Sequence, residues 1–162
     1  HCERIVVQNV HIVRSESPLF LRLGNRGRVR PDQPRPPAGF MRQVVFEHIT
    51  GEDNGVRGSF FIGNEGVPIT DIVLRDIDIG MSAVADAKVD ETVITENPDN
   101  MYPDPHMFDK ILPTPGVMPA YGLWTRHVHN LTLKRVKFRT NGAESRPAFK
   151  AGPDTTGVCL LT

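Results

Sequence analysis

The chain has 162 residues and equal numbers of basic and acidic side chains, 19 of each, so its formal net charge is zero. Proteins that bind nucleic acid usually carry a basic excess, and no apolar run here approaches the ~18 residues that cross a bilayer. We therefore expect neither nucleic acid nor a membrane as a partner, and the 14 glycines and 14 prolines favour strands and turns over long helices.

Residues 4–12 follow the order apolar-x-apolar-x-x-apolar-x-apolar. Alternation with a period of two predicts a strand with one buried face. The two-residue step predicts a bulge or corner that keeps the apolar side chains inward. The same order returns three times along the chain, with apolar residues at Ile5, Val7, Val10 and Ile12, then Val44, Phe46 and Ile49, then Ile72, Leu74, Ile77 and Ile79, then Leu131, Leu133, Val136 and Phe138.

Each of these segments is followed by a second short apolar segment, at 18–23, 59–63, 121–125 and 147–151. The repeat is thus predicted to be strand, corner, strand, loop, strand, and stacked copies would bury what one copy cannot. We predict one all-β domain over 1–162, a right-handed parallel β-helix of about four coils with loop insertions near 24–40 and 80–120. A β-sandwich is the alternative, and it would favour tight two-residue hairpins between these strands.

The first insertion is rich in arginine. Residues 22–42 hold six arginines and one acidic residue, which indicates either a solvated loop or a site for an anion. A planar guanidinium binds a carboxylate through two hydrogen bonds, so the anion could be a carboxylate. Arg30 and Arg35 are predicted to be solvated.

The second insertion is acidic, with seven Asp or Glu residues and one lysine in 86–109, and is predicted to be solvated. His127 and His129 are two residues apart on a predicted strand but have no visible third ligand, so no metal and no cofactor is expected.

The aromatic residues Tyr102, Phe108, Tyr121 and Trp124 are candidates for stacking on sugars, with core packing as the alternative; Tyr102 lies in the most polar surroundings.

The phrases PAYGLWTRHVHNLTLKRVKFRT, RPAF and ITDIVLRDIDI resemble the C-terminal coils of bacterial polygalacturonase-like proteins of glycoside hydrolase family 28, and the resemblance covers nearly the whole chain. It implies a secreted or periplasmic parallel β-helix that hydrolyses pectin-type bonds with inversion, using paired carboxylates. The chain lacks the Asn-Thr-Asp, Asp-Asp and Gly-His-Gly motifs of that family, so no catalytic residue is assigned. In that family an Arg-Ile-Lys motif binds the substrate carboxylate, and Arg22 matches its Arg, with Gly24 in place of its Lys. The resemblance thus implies that Arg22 is a substrate-binding residue of a uronate clamp, with Arg26 or Arg28 supplying the second charge. Because the leucines on either side of Arg22 alternate with it, we expect Arg22 to point outward into an open groove.

The expected function is therefore that of a C-terminal β-helix portion of such a hydrolase, with the catalytic aspartates upstream of this chain. Its expected partners are an acidic, galacturonate-type polysaccharide and the upstream part of the same β-helix. Two alternatives stay open: a polysaccharide-binding or structural module without catalysis, and a β-helical lyase, which would need a basic residue and calcium.

Overall fold

The computed structural model describes residues 1–24, 30–34, 36–94 and 104–162. Strands make up nearly all of the regular structure, and a three-residue 3-10 helix (Glu91–Val93) is the one helix in these ranges. The strands are β1 (Cys2–Val13), β2 (Phe20–Arg22), β3 (Met41–Asn54), β4 (Ser59–Ile62), β5 (Ile69–Met81), β6 (Leu123–Arg126), β7 (Val128–Thr140), β8 (Phe149–Ala151) and β9 (Thr156–Leu161).

The strands alternate between two parallel sheets. The odd-numbered strands form a five-stranded sheet in the order β1-β3-β5-β7-β9, and the even-numbered strands form a four-stranded sheet in the order β2-β4-β6-β8. Pairing in the larger sheet places Ile5, Val44, Ile72, Leu131 and Val158 in one column. The predicted stacking of equivalent positions is confirmed, and β9 adds a fifth copy that the sequence pattern did not identify.

The predicted right-handed parallel β-helix of four coils is wrong. The described residues form two parallel sheets of five and four strands, and neither sheet closes on itself. Each repeat contributes two strands where three were predicted. The apolar pattern fixes which side chains point inward, but two facing sheets bury those side chains as well as a closed coil does, so the pattern does not determine closure.

The two-residue step of the template explains why the strand count was wrong. At this step Asn9, His48, Asp76 and Arg135 all adopt the left-handed conformation, with φ between 51° and 57°. The ladder skips each of these residues and then continues in register. The bend thus lies within one long strand and does not divide it in two. Each non-glycine residue in the left-handed conformation costs roughly 1–2 kcal/mol.

The main core lies between the two sheets. The predicted core residues Val44, Phe46, Ile49, Ile72, Leu74, Ile77, Leu131 and Leu133 are at most 6% exposed, while Val136 is only partly buried. Phe61 and Leu123 of the four-stranded sheet pack against them, as does Leu19, which directly precedes β2. The rings of Phe46 and Phe61 stack at 5.7 Å between centroids, which fixes the two sheets face to face.

A second apolar cluster covers the outer face of the four-stranded sheet. Phe60, Ile62 and Trp124 point outward from this sheet, and Phe108 and Met118 of the acidic insertion cover them with exposures of 0–1%. The prediction that this insertion is solvated is therefore wrong for the part of it that packs here. This part of the insertion covers the outer face of the four-stranded sheet and keeps its apolar side chains from water.

Two of the four candidates for stacking on sugars belong to this second apolar cluster. Phe108 and Trp124 are fully buried, and the Trp124 indole donates a hydrogen bond to Glu91 at 3.2 Å. Tyr121 packs against the main core, with its hydroxyl donating to the Phe138 carbonyl. Tyr102 lies outside the described residues. Core packing, the alternative, is the correct interpretation of Phe108 and Trp124.

Candidate functional site

Arg22 lies on β2 in a column with Ile62 and Arg126, on the outer face of the four-stranded sheet. The leucines beside it pack into the main core, so Arg22 faces away from that core, as the alternation predicts. It is only 9% exposed, where an open groove was expected. Arg26, Arg28 and Arg35 lie outside the described residues, and the uronate clamp stays a prediction.

The structure brings together four charged or titratable side chains that no motif linked. Glu16 follows β1, Arg57 lies between β3 and β4, and His106 and Asp109 belong to the acidic insertion. They line a cleft of about 430 Å³. Because Arg57 is only 4% exposed and the other three reach it from separate segments, the cluster joins the insertion to the strands beneath it.

Arg57 is the centre of this cluster. Its Nη1 and Nη2 donate to the two carboxylate oxygens of Asp109, and Nη2 also donates to Glu16 Oε2 at 3.3 Å. His106 Nδ1 lies 3.0 Å from Asp109 Oδ2, and its Nε2 lies 3.2 Å from Glu16 Oε2. The two carboxylate partners offset the cost of removing the charged Arg57 guanidinium from water.

The geometry of the cluster does not suit inverting hydrolysis. Burial by itself would raise the pKa of Asp109, but hydrogen bonds from Arg57 and His106 outweigh it and hold the pKa below its usual value. Asp109 is thus a poor proton donor. Both carboxylates also accept from the same Arg57 Nη2, whereas the carboxyls of an inverting pair stand about 6.5–9.5 Å apart. The cluster therefore acts as a set of ion pairs that holds the insertion against the strands.

Asp109→Asn is expected to lower the free energy of unfolding by about 1–2 kcal/mol at pH 7, since Arg57 keeps Glu16 but loses its second carboxylate partner. The pKa of Asp109 is lower in the folded state, so its contribution is present above the unfolded pKa of about 3.9 and is lost as pH falls. Urea unfolding should show the difference from wild type shrinking between pH 7 and pH 3.

Asp86→Asn is the matched control, because Asp86 is exposed in the same insertion, and its effect should be within about 0.5 kcal/mol at both pH values. A cost for Asp109→Asn that stays constant down to pH 3 would contradict the ionic tie.

Four cations lie close together on β7, three of them exposed and Lys134 half-buried. The apolar residues of β7 face the core, and Lys134, Arg135, Lys137 and Arg139 point the other way. We call these four residues the basic stripe. At about 3.3 Å per residue the stripe runs for roughly 15 Å along one strand, so it presents a linear array of positive charge.

Two members of the basic stripe are neutralised by the neighbouring strand. Arg135 pairs with Asp76 and Arg139 with Asp78, and each arginine is nearly half exposed. Within the part of the chain that the structure describes, no carboxylate forms an ion pair with Lys134 or Lys137. The stripe therefore keeps two lysines available for an anion.

An apolar groove of about 450 Å³ lies beside the stripe, and we call it the β7 groove. It lies along the part of β7 that follows Lys134, the last residue of β7 that pairs with β9. Leu160 and Leu161 are exposed by 65% and 46% on its wall. The lining residues are Leu133, Arg135, Val136, Lys137, Phe138, Ala148, Phe149, Leu160, Leu161 and Thr162.

The sequence contained the signal for the stripe. Four of the six residues in KRVKFR (134–139) are basic, and the alternation places them opposite Val136 and Phe138. This run is shorter than the arginine-rich stretch at 22–42. No group of three or more His, Cys, Asp or Glu side chains in the described ranges is arranged to hold a metal ion.

Within the same ranges, no helix has the length and hydropathy needed to cross a membrane. A comparison of this chain with protein-family models, curated proteins and solved structures finds no match.

Proposed function

We propose that this chain binds pectin-type acidic polysaccharide along the basic stripe, as a polysaccharide-contacting part of a glycoside hydrolase-like protein. The observation that carries the proposal is that Lys137 lines an apolar groove and that neither Lys137 nor Lys134 on the same strand has an ionic partner among the described residues. A galacturonate polymer carries one carboxylate on each sugar, and the carbon-bound hydrogens of each ring form an apolar face. Cations beside an apolar wall match both features.

The Arg57 cluster is not proposed as the binding site. Its guanidinium already holds two carboxylates and is 4% exposed, so a third carboxylate would find no uncompensated charge there. The basic stripe differs because its two lysines project from a strand without an ionic partner among the described residues. Binding an anion at the stripe therefore adds ion pairs without breaking existing ones.

Lys134→Gln/Lys137→Gln is expected to weaken binding of a galacturonate octamer roughly tenfold, because two ion pairs to carboxylates are lost. Isothermal titration calorimetry at about 0.15 M salt, where diffuse attraction is screened beyond ~8 Å, measures the change. Lys110→Gln is the matched control, since Lys110 is an exposed lysine of the acidic insertion, and it should bind as wild type does.

Polyglutamate of equal charge separates recognition of a polysaccharide from attraction to any polyanion. If it binds as tightly as the octamer, the site is merely cationic and the proposal fails. Unchanged affinity in the double lysine variant together with a loss in Arg22→Ala would instead place binding at the clamp predicted from the sequence. Absence of octamer binding to the wild-type chain would also overturn the proposal.

A further inference from the structure

We infer that Asn141 is a site of spontaneous chemical modification, at which the side-chain amide is converted to an acid through a cyclic succinimide. The inference goes beyond the proposed function and does not depend on it. The sequence holds two Asn-Gly pairs, Asn54-Gly55 and Asn141-Gly142. A glycine after asparagine leaves its own backbone nitrogen open to reaction, because no Cβ shields it. The fold protects one of these pairs and leaves the other accessible.

The protected pair is Asn54-Gly55. Asn54 is fully buried at the end of β3. Its Oδ1 accepts a hydrogen bond from the Ser15 N–H at 2.9 Å, and its Nδ2 donates to the Gly80 carbonyl at 3.0 Å. The N–H of Gly55, whose nitrogen would have to attack, donates to the Ser15 carbonyl at 2.8 Å. Ring closure here requires that these three hydrogen bonds break first, so the fold holds the pair unreactive.

The accessible pair is Asn141-Gly142, in the segment that directly follows β7. Both residues are exposed. Within the part of the chain that the structure describes, the Gly142 N–H donates no hydrogen bond, so its nitrogen is free to react. Asn141 Oδ1 accepts from the Ala83 N–H at 2.9 Å. A donor at this oxygen stabilises the negative charge that develops there when the Asn141 Cγ is attacked.

The reaction needs only water besides these two residues. The Gly142 nitrogen gives up its proton to solvent and forms a bond to Asn141 Cγ, the Cγ–Nδ2 bond breaks, and the side-chain nitrogen leaves as ammonia. Water then opens the ring at one of its two carbonyls, which yields aspartate or isoaspartate. Either product adds one negative charge to a chain whose formal net charge is zero.

The modification changes the end of β7 in two ways. Asn141 shares a hollow of about 270 Å³ with Glu52, Asp53 and Arg139, so the aspartate form brings a third carboxylate to a place that already holds two. In the isoaspartate form the main chain runs through the former side chain and gains a methylene group. The modified protein therefore differs from the original in local charge or in both charge and backbone path.

The test follows the loss of the amide at both asparagines while the folded wild-type chain is incubated at mildly alkaline pH, by peptide mapping with mass spectrometry. Asn141 should be modified at least about a hundredfold faster than Asn54, because reaction at Asn54 must first break three hydrogen bonds. In urea, where neither pair is held by the fold, the two rates should agree within about threefold. An isoaspartyl methyltransferase assay should detect isoaspartate at position 141, which direct hydrolysis of the amide would not form.

Gly142→Ala is the variant that blocks the reaction, because its Cβ would meet only the Ala83 methyl at an ordinary 3.7 Å and the fold is kept. It should slow the modification of Asn141 by roughly tenfold or more, since a Cβ hinders the approach of the nitrogen. Gly24→Ala is the matched control, since a Cβ there would meet nothing within 4 Å, and it should keep the wild-type rate.

Four results would each overturn the inference. They are equal rates at Asn54 and Asn141 in the folded chain, an Asn141 amide that survives prolonged incubation, aspartate without isoaspartate at that position, and an unchanged rate in Gly142→Ala.

Discussion

Arg146→Met is expected to lower the free energy of unfolding by about 3–5 kcal/mol, because it leaves a buried carboxylate without its cation. The side chains of Arg146 and Glu144 are only 2% and 5% exposed. The guanidinium donates to both Glu144 oxygens and to the carbonyls of Arg57 and Met118. Its loss would therefore weaken the contact between the β7–β8 loop, the β3–β4 loop and the acidic insertion at once.

Arg139→Met is the control, since the Arg139–Asp78 pair has both side chains nearly half exposed, and it should cost at most about 1 kcal/mol. Urea unfolding followed by far-UV circular dichroism gives both values. Similar costs for the two substitutions would contradict the importance of burial here. A double variant, Glu144→Gln/Arg146→Met, should recover part of the loss, because the uncompensated charge is then removed.

Gly122→Ala is expected to cost about 3 kcal/mol through overpacking. A Cβ at this position would overlap the ring of Phe138 and the carbonyl of Ala148. Neither can move easily: Phe138 packs against the main core, and the Ala148 carbonyl accepts hydrogen bonds from the backbone N–H groups of Gly122 and Leu123. Thermal unfolding monitored by circular dichroism should show a lower midpoint for the variant.

Gly142→Ala is the matched control, because its Cβ would meet only the Ala83 methyl at an ordinary 3.7 Å. Its effect should be within about 0.5 kcal/mol of zero, or slightly stabilising. If the two alanine variants have the same midpoint of thermal unfolding, the close approach of Gly122 to the Phe138 ring does not constrain the packing.

The alternation of apolar residues was enough to predict the columns of the larger sheet. Whether a side chain faces inward depends on its neighbours one and two positions away, and this is local information. Val44, Ile72 and Leu131 were therefore matched correctly. The fifth member, Val158, was missed because β9 has only six residues and ends before the second half of the template.

The number of strands in each repeat could not be derived in the same way. The residues that bend the long strands are Asn9, His48, Asp76 and Arg135, and these four share no side-chain chemistry that marks a left-handed conformation. Asn, Asp and His adopt it more readily than Arg. The ladder holds Arg135 in place, and such tertiary stabilisation is not visible in a single sequence.

The composition of the acidic insertion did not indicate that part of it is buried. Most of its residues are polar, but Ile94, Phe108, Leu112 and Met118 are each at most 5% exposed. They are spaced irregularly, so no helical or strand period reveals them. What they cover, the outward-facing Phe60 and Trp124, could be identified only after the strands were placed in the four-stranded sheet. A solvated loop was therefore the natural but incorrect prediction.

The cations predicted from the sequence differ from those that the proposed function uses. The sequence indicated cations for an acidic polysaccharide and located them at Arg22, Arg26 and Arg28. Among the described residues, Lys134 and Lys137 have no ionic partner and Lys137 lines a groove, while Arg26 and Arg28 lie outside those residues, so the earlier assignment stays a prediction. Which cations are already paired depends on the cross-strand partners Asp76 and Asp78, and those come from a strand 59 to 61 residues earlier in the chain.

The left-handed residues shared by the long strands restrict how such a chain can change in length. Glu47 and Arg75, 28 residues apart, occupy the same column, so insertion or loss of a whole unit of that size would carry every residue to an equivalent position. Deleting one residue inside β5 would move its apolar side chains to the solvent face and place Asp76 out of line with His48 and Arg135. During evolution, length should therefore vary freely between strands but only in whole repeats within the sheets.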